Sequence, residues 1–341
     1  MLKIEKNKLN ELFDAISADV KLYLPLKKNN SSEYGLYTDG AETALDMLNT
    51  TKSPKDLFFP QSETIVKFKM DGKNIEINAP ELAKEKFVVY GVRACDAKSF
   101  QILDRVFMSE PVDEFYASRR EGSVIITAAC HEPEETCFCN AFGIDATNPG
   151  GDVSTWTVDD CVYFKANNEK GEEFLNNYKA VLADDADEAK VEEAKEAAKK
   201  ILSSLPLADL DLTAFGQGKT QELFDRPEWE ELSKTCIGCG TCTFVCPTCQ
   251  CYDIRDYDTG HGVQRYRCWD SCMYSDFTRM AHGNSRKTQK ERFRQRFMHK
   301  LVYFPDNNDG EYSCVGCGRC VAKCPISMNI AKVAKVLGGA K

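Results

Sequence analysis

Two groups of four cysteines share one spacing and could ligate iron–sulfur clusters. The groups are Cys236, Cys239, Cys242 and Cys246, and Cys314, Cys317, Cys320 and Cys324. Each group reads C-x-x-C-x-x-C-x-x-x-C-P, the ligand pattern of a [4Fe–4S] cluster, whose irons bind soft thiolate sulfur. Glycines between the cysteines let the backbone bend close to inorganic sulfur, and the proline turns the chain away. Two copies predict two clusters. Structural zinc is the alternative, although zinc sites usually pair C-x-x-C elements.

The last cysteine of each motif is expected to bind the other cluster. In bacterial two-cluster ferredoxins the fourth cysteine of each run crosses over in this way. By that rule the first cluster binds Cys236, Cys239, Cys242 and Cys324. The second cluster then binds Cys314, Cys317, Cys320 and Cys246.

Four more cysteines, in the N-terminal part of the chain, could form a third site. They are Cys95, Cys130, Cys137 and Cys139. Cys95 and Cys130 each follow an apolar run that predicts a buried strand, so both should emerge at the carboxyl edge of a parallel sheet. Cys137 and Cys139 lie on a loop that can fold back toward that edge. We favour a third [4Fe–4S] cluster here, with zinc or packed, reduced thiols as the alternatives.

Another four cysteines crowd the C-terminal part: Cys249, Cys251, Cys268 and Cys272. They could ligate a further centre, or exchange with a fourth ligand of the first two clusters. The interpretation favoured from sequence is that they pack beside the clusters, because free cysteine is among the most buried residue types.

Composition narrows the class of protein. The chain has 341 residues and 17 cysteines, with 43% hydrophobic and 28% charged residues. Residues 1–10 are charged and lack the apolar region of a signal peptide, and no apolar run reaches the length of a membrane-spanning helix. We therefore expect a cytoplasmic protein whose cysteines are reduced ligands. The net charge of −9 disfavours a general nucleic-acid binder.

Hydrophobic patterning predicts an α/β fold in the N-terminal part. Continuous apolar runs at residues 86–92 and 123–129 flank a helical period at residues 96–108, which is typical of a βαβ unit with a parallel sheet. Residues 63–69 and 74–77 alternate around Asp71-Gly72 and predict a β-hairpin. Further expected elements are helices at residues 9–16 and 182–205 and strands at residues 20–25, 155–157 and 162–164.

This pattern predicts that the chain is divided into three segments. Residues 1–205 are predicted to form an α/β domain that holds the third site. Residues 206–233 are a linker with a lead-in helix, which begins near Pro227. Residues 234–341 are predicted to form a mainly α-helical, ferredoxin-like domain with two [4Fe–4S] clusters, because residues 276–300 are rich in helix formers.

A basic stretch lies between the two motifs, with cations at Arg279, Arg286, Lys287, Lys290, Arg292, Arg294, Arg296 and Lys300. Phe293 and Phe297 interleave with the charges, so a nucleic-acid surface is one interpretation. The acidic balance of the chain favours two others. The stretch could dock a partner subunit, or its cations could tune the potential of a negatively charged cluster.

The cysteine blocks resemble one known family. The blocks are Gly91-Val-Arg-Ala-Cys-Asp-Ala, Cys137-Phe-Cys-Asn, Cys236-Ile-Gly-Cys-Gly-Thr-Cys, Cys246-Pro-Thr-Cys-Gln-Cys-Tyr, Trp269-Asp-Ser-Cys and Cys314-Val-Gly-Cys-Gly-Arg-Cys. They are similar to the family that contains the sulfhydrogenase β subunit, together with an iron–sulfur subunit of anaerobic sulfite reductase. The resemblance runs nearly end to end. It matches the N-terminal cysteines and Cys249, Cys251 and Cys272, whereas Cys268 departs from the pattern.

The resemblance implies an iron–sulfur electron-relay subunit of a multi-subunit oxidoreductase. Family members pass single electrons between two partners, an NAD(P)H-linked flavoprotein and a terminal catalytic subunit. That terminal subunit is a [NiFe] hydrogenase or a sirohaem sulfite reductase, and related subunits serve heterodisulfide reductase. The resemblance does not choose among the three.

The other motifs expected of a self-sufficient enzyme are missing from the sequence. There is no G-x-G-x-x-G fingerprint after a strand and no Walker A loop, so we expect no flavin or nicotinamide site in this chain. No catalytic residue is assigned, and the chain is expected to be a non-catalytic subunit. The alternative function is a redox-sensing iron–sulfur regulatory protein that responds to cluster loss.

Overall fold

A computed structural model of the protein describes residues 1–80, 82 and 85–339. Its strands are β1 Leu2–Glu5, β2 Lys21–Lys28, β3 Ser31–Leu36, β4 Ser62–Asp71, β5 Asn74–Asn78, β6 Phe87–Val92, β7 Ser123–Ala128, β8 Val153–Val158, β9 Cys161–Ala166, β10 Tyr252–Asp258, β11 Val263–Trp269, β12 Arg279–Met280 and β13 Gly283–Asn284. Its α-helices are α1 Leu9–Asp19, α2 Ala94–Phe107, α3 Glu114–Gly122, α4 Glu169–Asn177, α5 Glu188–Ser203, α6 Thr220–Leu223, α7 Glu228–Lys234, α8 Thr241–Phe244, α9 Gln289–Met298, α10 Phe304–Asn307, α11 Arg319–Ala322 and α12 Ile330–Leu337.

A seven-stranded mixed sheet organises the N-terminal part in the order β1-β9-β8-β7-β6-β2-β3. The four consecutive strands β8, β7, β6 and β2 run parallel. Every residue of β6 is buried, as expected for an inner parallel strand that is covered on both faces. One face packs on α1 through Leu12, Phe13 and Ile16, and the other packs on α2 through Phe100 and Leu103. The predicted βαβ unit is confirmed by β6, α2 and β7.

A second sheet contains strands from both the N-terminal and the C-terminal parts of the chain, in the order β10-β11-β4-β5. The predicted hairpin of β4 and β5 is confirmed, and its outer partner is the C-terminal hairpin of β10 and β11. A buried ion-pair network stabilises the contact between β4 and β11. Arg267 on β11 donates to Glu63 on β4 at 2.7 Å and also pairs with Asp113, while Arg119 pairs with the same Glu63.

The C-terminal part has its own apolar core beneath α7, α9 and α12. Trp229, Phe293, Leu301 and Val333 are almost fully buried there. The sequence predicts a mainly α-helical domain here. The structure adds the β10–β11 hairpin to the helices. Within the stretch that is rich in helix formers, α9 spans only Gln289–Met298, and the short strands β12 and β13 precede it. Phe138 of the N-terminal part is buried in the same core.

Within the part of the chain that the structure describes, no helix combines the length and the apolarity needed to cross a membrane.

Candidate metal centres

The N-terminal cysteines meet at the carboxyl edge of the parallel sheet, as predicted. Cys95 lies in the first turn of α2 just after β6, and Cys130 follows β7. Cys95 and Cys139 are buried in one apolar cluster, against which Cys130 packs. Burial raises the pKa of the Cys139 thiol to about 12, with contributions from the charges of Cys130 and Cys137. We call these four cysteines the N-terminal set.

Cys246 of the first motif lies with three cysteines of the second motif. Burial raises the pKa of the Cys314 thiol to about 12, and the charge of Cys246 contributes. Burial is also the largest cause of the raised pKa values of Cys317 and Cys320, and the charge of Cys246 contributes to both. This grouping agrees with the crossed arrangement expected from the spacing, although Cys246 also lies near Cys242 and Cys249, and the ligand assignment stays a prediction. We call Cys246, Cys314, Cys317 and Cys320 the second-motif set.

The other first-motif cysteines form a more exposed group. Burial is the largest cause of the raised pKa of the Cys236 thiol, and the nearby Cys242 and Cys239 raise it further. The Gln289 amide lies 3.5 Å from Cys236 Sγ. Cys239 is exposed. Cys324, the fourth predicted ligand, packs with Cys236 against the same apolar core. We call Cys236, Cys239, Cys242 and Cys324 the first-motif set.

Three additional cysteines surround the base of the β10–β11 hairpin. Interaction with the nearby Cys272 thiol lowers the pKa of Cys251, and burial and the charge of Cys249 oppose this shift. Cys268 is apart from them on β11, opposite Asp253 in the register. We call Cys249, Cys251 and Cys272 the hairpin set.

The N-terminal and second-motif sets are in direct contact. Cys317 is buried in the same apolar cluster as Cys95 and Cys139. The Phe138 amide donates to the carbonyl of Gly316 at 2.9 Å. Gly316 has a φ of +57°, and a Cβ there would lie 2.4 Å from the Phe138 carbonyl oxygen. Only glycine permits this approach, because other residues rarely adopt positive φ and would clash.

A buried ion pair crosses the same contact. Arg319, which starts α11, donates two hydrogen bonds to the Asp96 carboxylate at 2.6 and 2.7 Å. Asp96 follows Cys95, and Arg319 precedes Cys320. The Arg319 side chain also donates to the Thr50 carbonyl at 3.0 Å. The pair therefore fixes the N-terminal set against the second-motif set.

Three buried cations lie among the C-terminal thiols. Arg296 donates from Nη1 to Cys249 Sγ at 3.3 Å and from Nη2 to the Cys242 carbonyl at 2.6 Å. Lys300 donates to Thr248 Oγ1 at 2.7 Å. Burial lowers the pKa of Lys300, but the charges of nearby thiolates outweigh burial, so its pKa is raised. Among the described residues neither side chain is in ion-pair contact with a carboxylate.

Lys55 is the third buried cation, and sequence reasoning did not find it. Its Nζ donates to the carbonyls of Cys246 and Cys249 at 3.1 and 2.8 Å and lies 3.7 Å from the centre of the Trp269 ring. Burial lowers the pKa of Lys55 to about 8. Its position in a 3₁₀ turn, Pro54–Leu57, gave no sequence signal.

The cations of the basic stretch make two different kinds of contact. Arg296 and Lys300 face inward to the thiols, as one interpretation predicted. Arg292 donates to the carbonyls of Arg286 and Lys287, and Arg294 stacks over Phe224 at 3.6 Å. These last contacts stabilise the chain around α9.

The donor chemistry of these sets fits iron–sulfur clusters. All the candidate ligands are thiols, which suit the irons of a cubane. Within the described residues, no three Cys, His, Asp or Glu side chains lie close enough to hold a single metal ion. A cubane makes a different demand, because each of its four irons takes one protein ligand.

Comparisons with known proteins agree with this chemistry. The 4Fe-4S dicluster domain family matches residues 235–328, which include both motifs. The chain is 32% identical over 342 residues to sulfhydrogenase 2 subunit beta of Pyrococcus furiosus, covering 97% of this chain and 96% of that protein. No solved structure matches.

These observations define an iron–sulfur electron-transfer subunit of an oxidoreductase, with a 4Fe-4S dicluster domain. The chain belongs to the sulfhydrogenase β-subunit family.

Proposed function

We propose that the chain is an electron relay that uses three [4Fe–4S] centres, one in each of the N-terminal, first-motif and second-motif sets. When bound, such a cluster gains and loses one electron at a potential set by its surroundings. The residues of the chain hold the thiols, exclude water from them and supply compensating charge. We also propose the boundaries 1–205, 206–233 and 234–341 for the α/β domain, the linker and the ferredoxin-like domain.

The observation that carries the proposal is the continuity of the thiol sets. Cys317 packs in one apolar cluster with Cys95 and Cys139. Cys246 lies near Cys317 and also near Cys242 of the first-motif set. The second-motif set is therefore a neighbour of both the N-terminal set and the first-motif set.

The two ends of this series differ in exposure. At the first-motif end Cys239 is exposed and Ile237 has 65% of its surface accessible. An exposed apolar residue on a ligand loop suits contact with another redox protein. At the other end Cys130 is partly buried and is followed by His131, whose pKa is lowered mainly by burial.

We propose that two partners, an NAD(P)H-binding flavoprotein and a terminal catalytic subunit, dock at these ends. The relative from Pyrococcus furiosus is named as one subunit of a sulfhydrogenase, which supports assembly with partners. The terminal catalyst is a [NiFe] hydrogenase, a sirohaem sulfite reductase or a heterodisulfide reductase. We propose a cytoplasmic location, with no nucleic-acid partner and no flavin or nicotinamide site in this chain.

Reduction of the anaerobically purified chain tests the relay. Dithionite should bleach its visible absorbance, whereas NADH and NADPH should have no effect until an NAD(P)H-oxidising flavoprotein is added. Reduction of the lone chain by either nicotinamide would overturn the proposal. Replacing Cys137 and Cys139 with alanine should lower the iron content by about four per chain. Cys268→Ala is the matched control and should retain all its iron.

The redox-sensor alternative predicts a different result. A sensor would lose a cluster on brief exposure to air, change its conformation and accept no electrons from the flavoprotein. Limited proteolysis before and after exposure would reveal the conformational change. The buried positions of Cys95, Cys137 and Cys317 favour the relay, because a sensor needs accessible ligands.

A further inference from the structure

The base of the β10–β11 hairpin brings together cysteines that neither motif uses. Tyr252 pairs with Trp269 in the register, and the Asp270 amide donates to the Cys251 carbonyl at 2.9 Å. Cys251 therefore directly precedes β10, and the buried Cys272 follows the end of β11 by three residues, at the same end of the hairpin.

The turn that carries Cys272 is fixed to the first motif. Ser271 Oγ lies 2.9 Å from Thr243 Oγ1 of α8, and both side chains are buried. Cys249 lies directly after Thr248, which is fully buried. The hairpin set is thus held by two segments of backbone, one with Cys249 and Cys251 and the other with Cys272.

The three buried cations lie around Cys249 and Cys246. Arg296 donates to the Cys249 sulfur at 3.3 Å, and Lys55 donates to the carbonyl oxygens of Cys249 and Cys246 at 2.8 and 3.1 Å. Burial lowers the pKa of Lys300, and the charges of Cys246 and Cys249 raise it. The residues Lys55, Arg296 and Lys300 are 2%, 2% and 4% exposed, and the described residues offer none of them a carboxylate in ion-pair contact. Buried cations persist only when they are paired, so negative charge must gather at this point.

Protonated thiols would not supply that charge. Burial makes an isolated thiolate unfavourable, and a metal is what keeps buried cysteines deprotonated. The second-motif set uses Cys246 but not Cys249, although the three cations lie near both. We propose that Cys249, Cys251 and Cys272 bind a fourth iron–sulfur centre, next to the second-motif set. This proposal goes beyond the relay of three centres.

The fourth iron of this centre takes a ligand other than cysteine. Cys268 is the other cysteine of this region, but it lies on β11, and the groups that act on its thiol are Arg255, Asp253 and Asp270. Ligation releases one proton from each of three thiols. Reduction then adds one electron, whose charge Arg296, Lys300 and Lys55 stabilise.

Iron content and electron capacity test the proposal on the anaerobically reconstituted full chain. We expect about sixteen irons and four electrons per chain, rather than about twelve irons and three electrons. The double variant Cys251→Ala/Cys272→Ala should lose about four irons and one electron and should keep the EPR signals of the other centres. Cys268→Ala, on the same hairpin, should match the unmodified chain in both measurements.

About twelve irons in the unmodified chain would overturn the proposal, even if the double variant fails to fold. Unchanged iron in a folded double variant, or one zinc ion lost in place of four irons, would overturn it equally. The relay is judged separately by the reduction experiment with NADH and NADPH. The two proposals can therefore fail independently.

Discussion

The N-terminal set and the second-motif set are held in place by different means. The N-terminal set is assembled by the sheet, because β6 and β7 deliver Cys95 and Cys130 to one edge. The second-motif set draws three ligands from one short loop, in which Gly316 and Gly318 have positive φ. A sheet fixes ligands that are distant in sequence, whereas a glycine-rich loop fixes ligands that are adjacent.

The charges around the two sets also differ. The buried Arg319 next to the N-terminal set is neutralised by Asp96. The second-motif set lies beside Lys55, Arg296 and Lys300, which lack carboxylate partners among the described residues. The contrast indicates that charge at the first site is balanced within the protein, whereas around the second-motif and hairpin sets it is balanced by the thiolates and the groups that they bind.

The largest expected effect comes from separating the two sets. In Gly316→Ala the new Cβ would meet the Phe138 carbonyl oxygen at 2.4 Å, so both sets should lose their iron, about eight per chain. Iron analysis and EPR on the anaerobic variant measure this loss.

Gly238→Ala is the matched control, because Gly238 holds the same position in the first motif. Its φ is +67°, but the nearest contact would be the flexible Gln289 side chain at 3.2 Å. We expect a loss of about four irons at most. Equal losses in both variants would contradict the idea that close contact joins the two sets.

Asp96→Asn tests the ion pair between the sets. It leaves the buried Arg319 without its partner, which should lower the free energy of unfolding by about 3–5 kcal/mol. Glu42→Gln, in the exposed pair with Lys27, should cost no more than about 1 kcal/mol. Anaerobic denaturation with guanidinium compares the two, and similar midpoints would refute a structural role for the buried pair.

The charge contrast predicts an order of potentials. Cations favour the reduced form of a cluster, so the centre of the second-motif set should be reduced before that of the N-terminal set. In a redox titration followed by EPR, Cys137→Ala/Cys139→Ala should remove the component of lower potential. Loss of the component of higher potential would reverse this assignment.

Lys300→Met should give the smallest effect, on potential alone. Removing one buried charge should lower the potential of the adjacent centre by about 60 mV, equivalent to about 1.4 kcal/mol for one electron. Lys323→Met is the control, because Lys323 precedes Cys324 but is exposed and screened by water. A shift of the same size in both variants would show that burial of Lys300 does not matter.

The spacing of the cysteines and the apolar runs were enough to predict the βαβ unit and the meeting of Cys246 with the second motif. Strand positions are local properties of sequence, and so are ligand loops. The pairing of β4 with β11 could not be predicted, because these strands are partly exposed and carry no pattern that identifies a distant partner. The basic stretch drew attention to Arg296 and Lys300, but Lys55 could not be found in this way, because it lies 191 residues from Cys246 in the chain.

The interlocking of Phe138 with Gly316 bears on how the chain matures. Translation delivers the loop of Cys137 and Cys139 long before the ribosome reaches the second motif, yet each loop completes the wall around the other. A centre bound by the N-terminal set would therefore be fully enclosed only after the second motif has been synthesised. A chain truncated before Gly316 would lack that part of the wall, which would leave these thiols open to oxidants.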